Sequence, residues 1–334
     1  MTRFFLTIVY SLLLSCAVFA GNSGNGAEKP SRSIFDQWNS DSNTRIELHV
    51  NFDSLEAYRK KEAFLPATIV ENGQSLELEV AVRGRFRRRT CAMPPLKLKF
   101  KKEGLRSAGL NTHNDFKLVT HCVDGDAGQD LILREQLAYE LYNTINPEAS
   151  FRTQLIDITY VNTADGSTTT SYGILIEDYD ELKDRLDTKS CKECYALPAN
   201  QIANAETLAM FQYMIGNSDF SNRMVRNMKL TRNTNGTYTA IPYDFDFSGL
   251  VNASYASPFD HLGETKVTDR TLIWEYNTEG DFTNATQLFL NLENTLLQQV
   301  ENFPGLESSS KREITKYLNG FYKELHKGKF PAGK

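Results

Sequence analysis

Along this 334-residue chain the apolar residues change their spacing once, and that change fixes the class of fold open to it. Up to residue 178 the pattern is mostly that of strands. Segments 46–52, 68–71, 76–83, 96–100 and 116–121 are short, alternating or β-branched, and separated by Gly, Asn and Pro. They predict an antiparallel sheet. Within that half, 129–146 reads as a helix, because Leu131, Leu133, Leu137, Leu141 and Tyr142 form a stripe near period 3.6 and Asp130 lies in the first turn. Segments 153–161 and 170–177 are two more strands around the polar turn 162–167. Beyond residue 178 the spacing becomes helical, over 180–186, 203–215, 287–303 and 309–326. The chain is therefore expected to be α+β, with a strand-rich region at 44–178 and a mainly helical one at 179–330.

The N-terminal residues predict where such a domain works. Arg3, the charge-free run 4–14 and the small-x-small step Val18-Phe19-Ala20 are the parts of a signal peptide at 1–20. A Gly-, Asn- and Ser-rich stretch follows, so 21–43 is expected to be a flexible leader. The apolar run is too short to span a bilayer, and no later stretch approaches the ~20 residues that need one, so no transmembrane segment is expected. Leu13-Leu14-Ser15-Cys16 resembles the lipobox of bacterial lipoproteins, which makes a lipid anchor at Cys16 the alternative to free secretion. An extracytoplasmic location follows from either. The net charge of −5 argues against a nucleic-acid partner, and the basic cluster at 83–89 is local.

Outside the signal four cysteines remain. In an oxidising compartment they are expected to form two disulfides, Cys91 with Cys122 and Cys191 with Cys194. The Cys191-x-x-Cys194 spacing also suits a redox centre or half a zinc site, although no second pair accompanies it. The five histidines have no metal-ligand spacing, and no G-x-S-x-G supports a serine hydrolase.

Chemistry concentrates at 216–249. Gly216-Asn217-Ser218-Asp219 closes a helix, Asn227 opens a strand, and a second strand delivers Tyr243-Asp244-Phe245-Asp246. Phosphoryl transfer uses such a set: one carboxylate positions the nucleophile, while an Asn oxygen and a second carboxylate hold a divalent cation against phosphates. In an extended segment Asp244 and Asp246 share one face. Taken alone, the same residues also read as caps and a solvated loop.

These pieces, in order, resemble the CotH family, the spore-coat-protein-H-like secreted atypical kinases. The resemblance is carried by Arg83-Gly84 with its basic continuation, Pro94-Pro95-Leu96-Lys97-Leu98-Lys99-Phe100, Leu133-Arg134-Glu135-Gln136-Leu137-Ala138-Tyr139-Glu140-Leu141, Gly216-Asn217-Ser218-Asp219 and Ile241-Pro242-Tyr243-Asp244. It implies a two-lobed protein-kinase-like fold, with ATP and Mg²⁺ (or Mn²⁺) as ligands and a secreted or cell-surface protein as acceptor. It also implies Asp219 as catalytic aspartate and Asp244 as metal ligand. Asn227, eight residues after Asp219 rather than five, is preferred to Asn222 as the second metal ligand, and Asp246 is a further candidate. There is no G-x-G-x-x-G loop, so Arg83 and the arginines after it are the expected phosphate ligands. The nucleotide-binding lysine is Lys97 by its motif, with Lys117 as competitor because it is the only charge in Phe116-Lys117-Leu118-Val119. Its partner is expected to be Glu135 rather than Glu140. The rival function is a kinase-like surface scaffold without turnover.

Overall fold

The structure, a computed structural model, describes residues 32–39, 44–61 and 63–330. The expected signal peptide, Cys16 and most of the leader lie outside these residues. Ile34–Asn39, however, falls inside the segment expected to be flexible and is a helix, α1. Its Ile34, Phe35 and Trp38 are fully buried, so apolar content that a Gly- and Ser-rich surrounding disguised anchors this end of the chain.

The first half builds seven strands: β1 (Arg45–Val50), β2 (Leu65–Glu71), β3 (Gln74–Val82), β4 (Leu96–Phe100), β5 (Asp115–Val119), β6 (Thr153–Asn162) and β7 (Thr168–Ile176). They close into a barrel in the order β1-β2-β3-β4-β5-β7-β6. All neighbours are antiparallel except β1 and β6, which pair in parallel from Arg45 opposite Asp157 to Val50 opposite Asn162. The expected antiparallel sheet is corrected on this point: it contains one parallel pair. Strand period does not encode pairing, and β6, with every second residue buried along its length, serves two neighbours at once. Short helices α2 (Phe52–Ala57), α3 (Arg87–Thr90) and α4 (Lys102–Ser107) fill the connections.

Between β5 and β6 runs α5 (Gly125–Ile145), and after β7 come α6 (Tyr179–Arg185), β8 (Lys189–Ser190), α7 (Ala205–Ile215), β9 (Met228–Arg232), β10 (Tyr238–Pro242), α8 (Thr283–Asn302) and α9 (Ser308–His326). Strands β8 to β10 form a separate antiparallel sheet. The α+β class holds. Among the described residues no helix is long and apolar enough to cross a membrane.

Two apolar cores result. One fills the barrel, with Leu96, Leu98, Leu118 and Leu175 among its residues. The other joins α5, α7, α8 and α9 to Val119, Ile174 and Ile176. Strands β5 and β7 thus feed both cores from opposite faces, as a period of two requires. Helix α5 lies in the second core and is tied to α9 by Arg134, which donates to Ser310 Oγ at 3.1 Å and Glu313 at 2.8 Å. Lys117, opposite Ile176 in the β5–β7 register, therefore points from the barrel toward the helical half. Both expected cysteine pairs, Cys91–Cys122 and Cys191–Cys194, are at bonding distance.

Candidate functional site

Helix α7 ends at Gly216 in the left-handed region (φ 63°), where a Cβ would come within 2.1 Å of the Tyr317 hydroxyl. Only glycine turns the chain here. The turn delivers Asp219, whose N–H donates to Asn217 Oδ1 at 3.0 Å while Asn217 Nδ2 donates to Gln212. Asn227 Nδ2 then donates to the Asp219 backbone oxygen (2.6 Å) and to Asp219 Oδ2 (3.0 Å), and Arg226 Nε lies 3.5 Å from Asp219 Oδ1. Burial pushes the Asp219 carboxyl above its ordinary range; Arg226 opposes the rise and the charge of Asp244 adds to it.

Asn227 and Asp244 both sit at positive φ, 54° and 70°. Such backbone costs free energy for any residue with a Cβ and is held by its surroundings. Here the Asn227 carbonyl accepts the Tyr243 N–H at 3.0 Å, and the Asp244 N–H donates to the Tyr139 hydroxyl of α5 at 2.9 Å. With Nδ2 spent on Asp219, Asn227 Oδ1 is the atom left for a cation. The Asp244 carboxylate takes part in no hydrogen bond or ion pair among the described residues, yet its charge bears on Asp219, Lys117, Glu135 and Asp246. Asp246 does not share its face. The segment is a turn with Asp244 left-handed, so the extended-chain argument fails, and Asp246 is buried between Arg87 Nη1 (3.7 Å) and the Tyr255 hydroxyl, which donates to it at 3.1 Å.

Glu135 is likewise drawn elsewhere. Arg87, from the basic run, is only 7% exposed; its Nη1 donates to Glu135 Oε2 at 3.1 Å and its Nη2 to the Thr120 carbonyl. The pairing of Glu135 with a lysine is corrected: an arginine whose fork reaches Glu135, Asp246 and a carbonyl together outcompetes a single ammonium. Burial still raises the Glu135 carboxyl to about 7, against the pull of Arg87, and holds that of Asp246 well above its usual range.

The lysines divide. Lys97 pairs with Asp115 at 2.7 Å on a half-exposed outer face. Lys117 is half-buried, and its Nζ is buried without a hydrogen-bond partner, 4.3 Å from the Tyr243 ring centroid and 5.3 Å from that of Phe151. Desolvation, with Arg83 and Lys229 adding repulsion, lowers its pKa to about 7 although Asp244 and Asp115 pull the other way. Lys229, on β9 and within 6.0 Å of the same Tyr243 ring, is lowered for the same reasons. Arg83 and Lys229, neither in an ion pair among the described residues, and the unpaired Asp244 carboxylate thus all bear on Lys117. Beside them opens a cavity of about 610 Å³ lined by Tyr179, Lys192, Tyr195, Met228 and Lys229. Sequence reading named Arg83 and Lys117 but missed Lys229, Tyr139 and the buried role of Arg87. For Lys229 the signal was present, since it alternates with apolar Met228 and Leu230 directly after Asn227.

No family model matches the chain, and no curated protein matches it. Among solved structures it is similar to a proinflammatory kinase, CtkA, of Helicobacter pylori, with 10% identity over 70% of this chain and 89% of that one, at a TM-score of 0.36. A likeness of that size carries no argument.

Proposed function

We propose that the chain is a secreted atypical kinase of the CotH type, transferring the γ-phosphoryl group of ATP to a hydroxyl of a secreted or cell-surface protein. On this reading the barrel core and the helical core would stand in for the two lobes of a kinase. The observation that carries this reading is Lys117, its ammonium buried without a hydrogen-bond partner and acted on by Arg83, Lys229 and the unpaired Asp244 carboxylate. Like charges gathered around a desolvated ammonium repel, and a site that tolerates them suits an anion of high charge. A carboxylate in their midst fits a polyphosphate accompanied by a divalent cation better than a bare anion. The paired cysteines are compatible with a location outside the cytoplasm.

In this reading Asn227 Oδ1 and Asp244 would hold Mg²⁺ or Mn²⁺. When bound, the ion neutralises charge on the transferring phosphate. Arg83, Lys117 and Lys229 hold the phosphate oxygens, and the nucleoside lies in the 610 Å³ cavity, whose size suits such a ligand. Asp219, its basicity raised by burial, takes the acceptor hydroxyl proton as the oxygen–phosphorus bond forms and the bond to the β-phosphate oxygen breaks. Lys97 and Asp246 have no direct part, and Glu135 acts through Arg87. Calorimetry of the mature protein with ATP, with and without Mg²⁺ or Mn²⁺, is the test, followed by transfer from labelled ATP to secreted proteins. Metal-dependent binding with transfer that Asp219→Ala abolishes supports the reading. Binding without transfer assigns the chain to the scaffold class, and absence of binding removes the nucleotide site.

A further inference from the structure

One hydroxyl of α5 holds the residue on which the proposed cation site depends. Asp244 is left-handed, φ 70°, and its carboxylate keeps one direction only while its backbone stays there. Two bonds keep it. The Tyr243 N–H donates to the Asn227 carbonyl at 3.0 Å, and the N–H of Asp244 itself donates to Tyr139 Oη at 2.9 Å.

Tyr139 is fixed in its turn. It is 3% exposed, so bulk water does not stand ready to replace its oxygen. Its ring packs on Phe245, centroids 4.7 Å apart, and it lies one turn beyond Glu135, which Arg87 grips at 3.1 Å. Residues four apart share a helix face, and the charges of both Glu135 and Asp244 bear on the Tyr139 hydroxyl. Burial keeps that hydroxyl protonated, a neutral acceptor for the amide. Arg134, beside Glu135, ties the same stretch of α5 to Glu313 of α9 at 2.8 Å. Among the described residues the hydroxyl makes no other hydrogen bond than the one to Asp244. A phenylalanine would pack on Phe245 as well, so packing gives the oxygen no task of its own.

We infer that Tyr139 is a positioning residue for the divalent cation, acting through the backbone of Asp244. The inference rests on the reading of Asp244 as a metal ligand. Without the hydroxyl the Asp244 N–H has no acceptor among the described residues, the left-handed turn loses one of its two ties, and the carboxylate loses its fixed direction. Arg83, Lys117 and Lys229 stand on other segments, at the end of β3, on β5 and on β9, and keep their places. Anion binding and metal binding are thereby separable, and the loss falls on the metal.

Tyr139→Phe, which removes one oxygen and keeps the ring, tests this by calorimetry of the mature protein with ATP, in EDTA and in saturating Mn²⁺. The variant should bind metal-free ATP within about twofold of wild type, and the gain in affinity that Mn²⁺ brings should fall at least ~10-fold, the scale expected when a group that orients a metal ligand is removed. A hydroxyl of merely structural use would weaken both bindings alike or neither, and either result overturns the inference. If the variant does not fold, hydrogen exchange of the Asp244 amide in the wild-type protein decides: protection that rises with Mg²⁺ sustains the inference, and unmoved protection ends it. Should the wild-type protein bind no ATP, the kinase reading fails by itself, and Mn²⁺ alone, read by water-proton relaxation, decides for Tyr139. Binding that the variant loses then sustains the inference, and equal binding, or none, ends it.

Discussion

Replacing Lys117 by Met should stabilise the protein while removing its ligand. The ammonium is buried, unpartnered and lowered from an ordinary 10.5 to about 7 by desolvation and by the charges of Arg83 and Lys229, with Asp244 and Asp115 opposing. At roughly 1.4 kcal/mol per unit, the shift sets an upper limit of about 5 kcal/mol on what the residue costs the folded state. The sign follows from where the proton is. Between pH 7 and 10.5 the unfolded chain holds a proton on this amine that the folded chain has lost, so stability climbs with pH across that window. The cost is complete below pH 7 and gone above 10.5. Lys117→Met, of similar length and without charge, should therefore gain most at pH 7, on the order of 2–5 kcal/mol, and lose its advantage as pH rises.

Urea unfolding of both proteins at pH 7 and pH 9 measures this directly. Calorimetry with ATP supplies the second half. Phosphate favours the charged amine, so at pH 8, where about nine-tenths of Lys117 would be neutral, binding by the wild-type protein should take up close to one proton, read from buffers of different ionisation enthalpy. The variant should bind at least ~10²-fold more weakly and take up none. A variant less stable than wild type at pH 7, or one that binds ATP equally well, would refute the account of Lys117 as a strained ligand site.

Asp244→Asn should keep its melting temperature within about 2 °C, because the carboxylate has no partner to lose, and should abolish metal-dependent ATP binding; calorimetry and thermal melts check both. Arg87→Met should cost about 3–5 kcal/mol in urea unfolding by stranding Glu135 and Asp246 in the interior, and adding Glu135→Gln should recover part of the loss. Replacing both Cys91 and Cys122 by Ser, which opens a loop of sequence separation 31, should lower stability by about 4 kcal/mol, against about 2 for the Cys191 and Cys194 pair. Equal losses would show that loop length does not govern the effect.

Most elements were legible because their apolar spacing is local information. Helix 129–146 was expected and α5 spans Gly125–Ile145; strands 96–100 and 153–161 fall on β4 and β6. Closure of the barrel was not legible, since the parallel β1–β6 pairing is a contact between segments more than a hundred residues apart that leaves no mark on either. The short α3 was hidden as well. Arg87, Arg88 and Arg89 were expected, with Arg83, as phosphate ligands, and nothing in the sequence distinguishes the one of them that is buried. At the site, the order Asp219, Asn227, Asp244 placed three residues that the structure brings near one another, while the extended-segment argument for Asp246 failed at the left-handed Asp244, a property that Asp tolerates but does not announce.

The displaced pairing of Glu135 is where the sequence pattern and the structure differ with most consequence. A lysine paired with a glutamate is already neutralised, and binding phosphate must then compete with that partner. Here Arg87 satisfies Glu135 from the other side, and Lys117 is left to Tyr243, Phe151 and two repelling cations. The chain accepts a destabilised folded state in exchange for an ammonium with no hydrogen bond to give up when an anion arrives. On the kinase proposal, this makes nucleotide binding and proton uptake one event, and places the pH dependence of affinity on a residue that the family pattern would have shown as half of an ion pair.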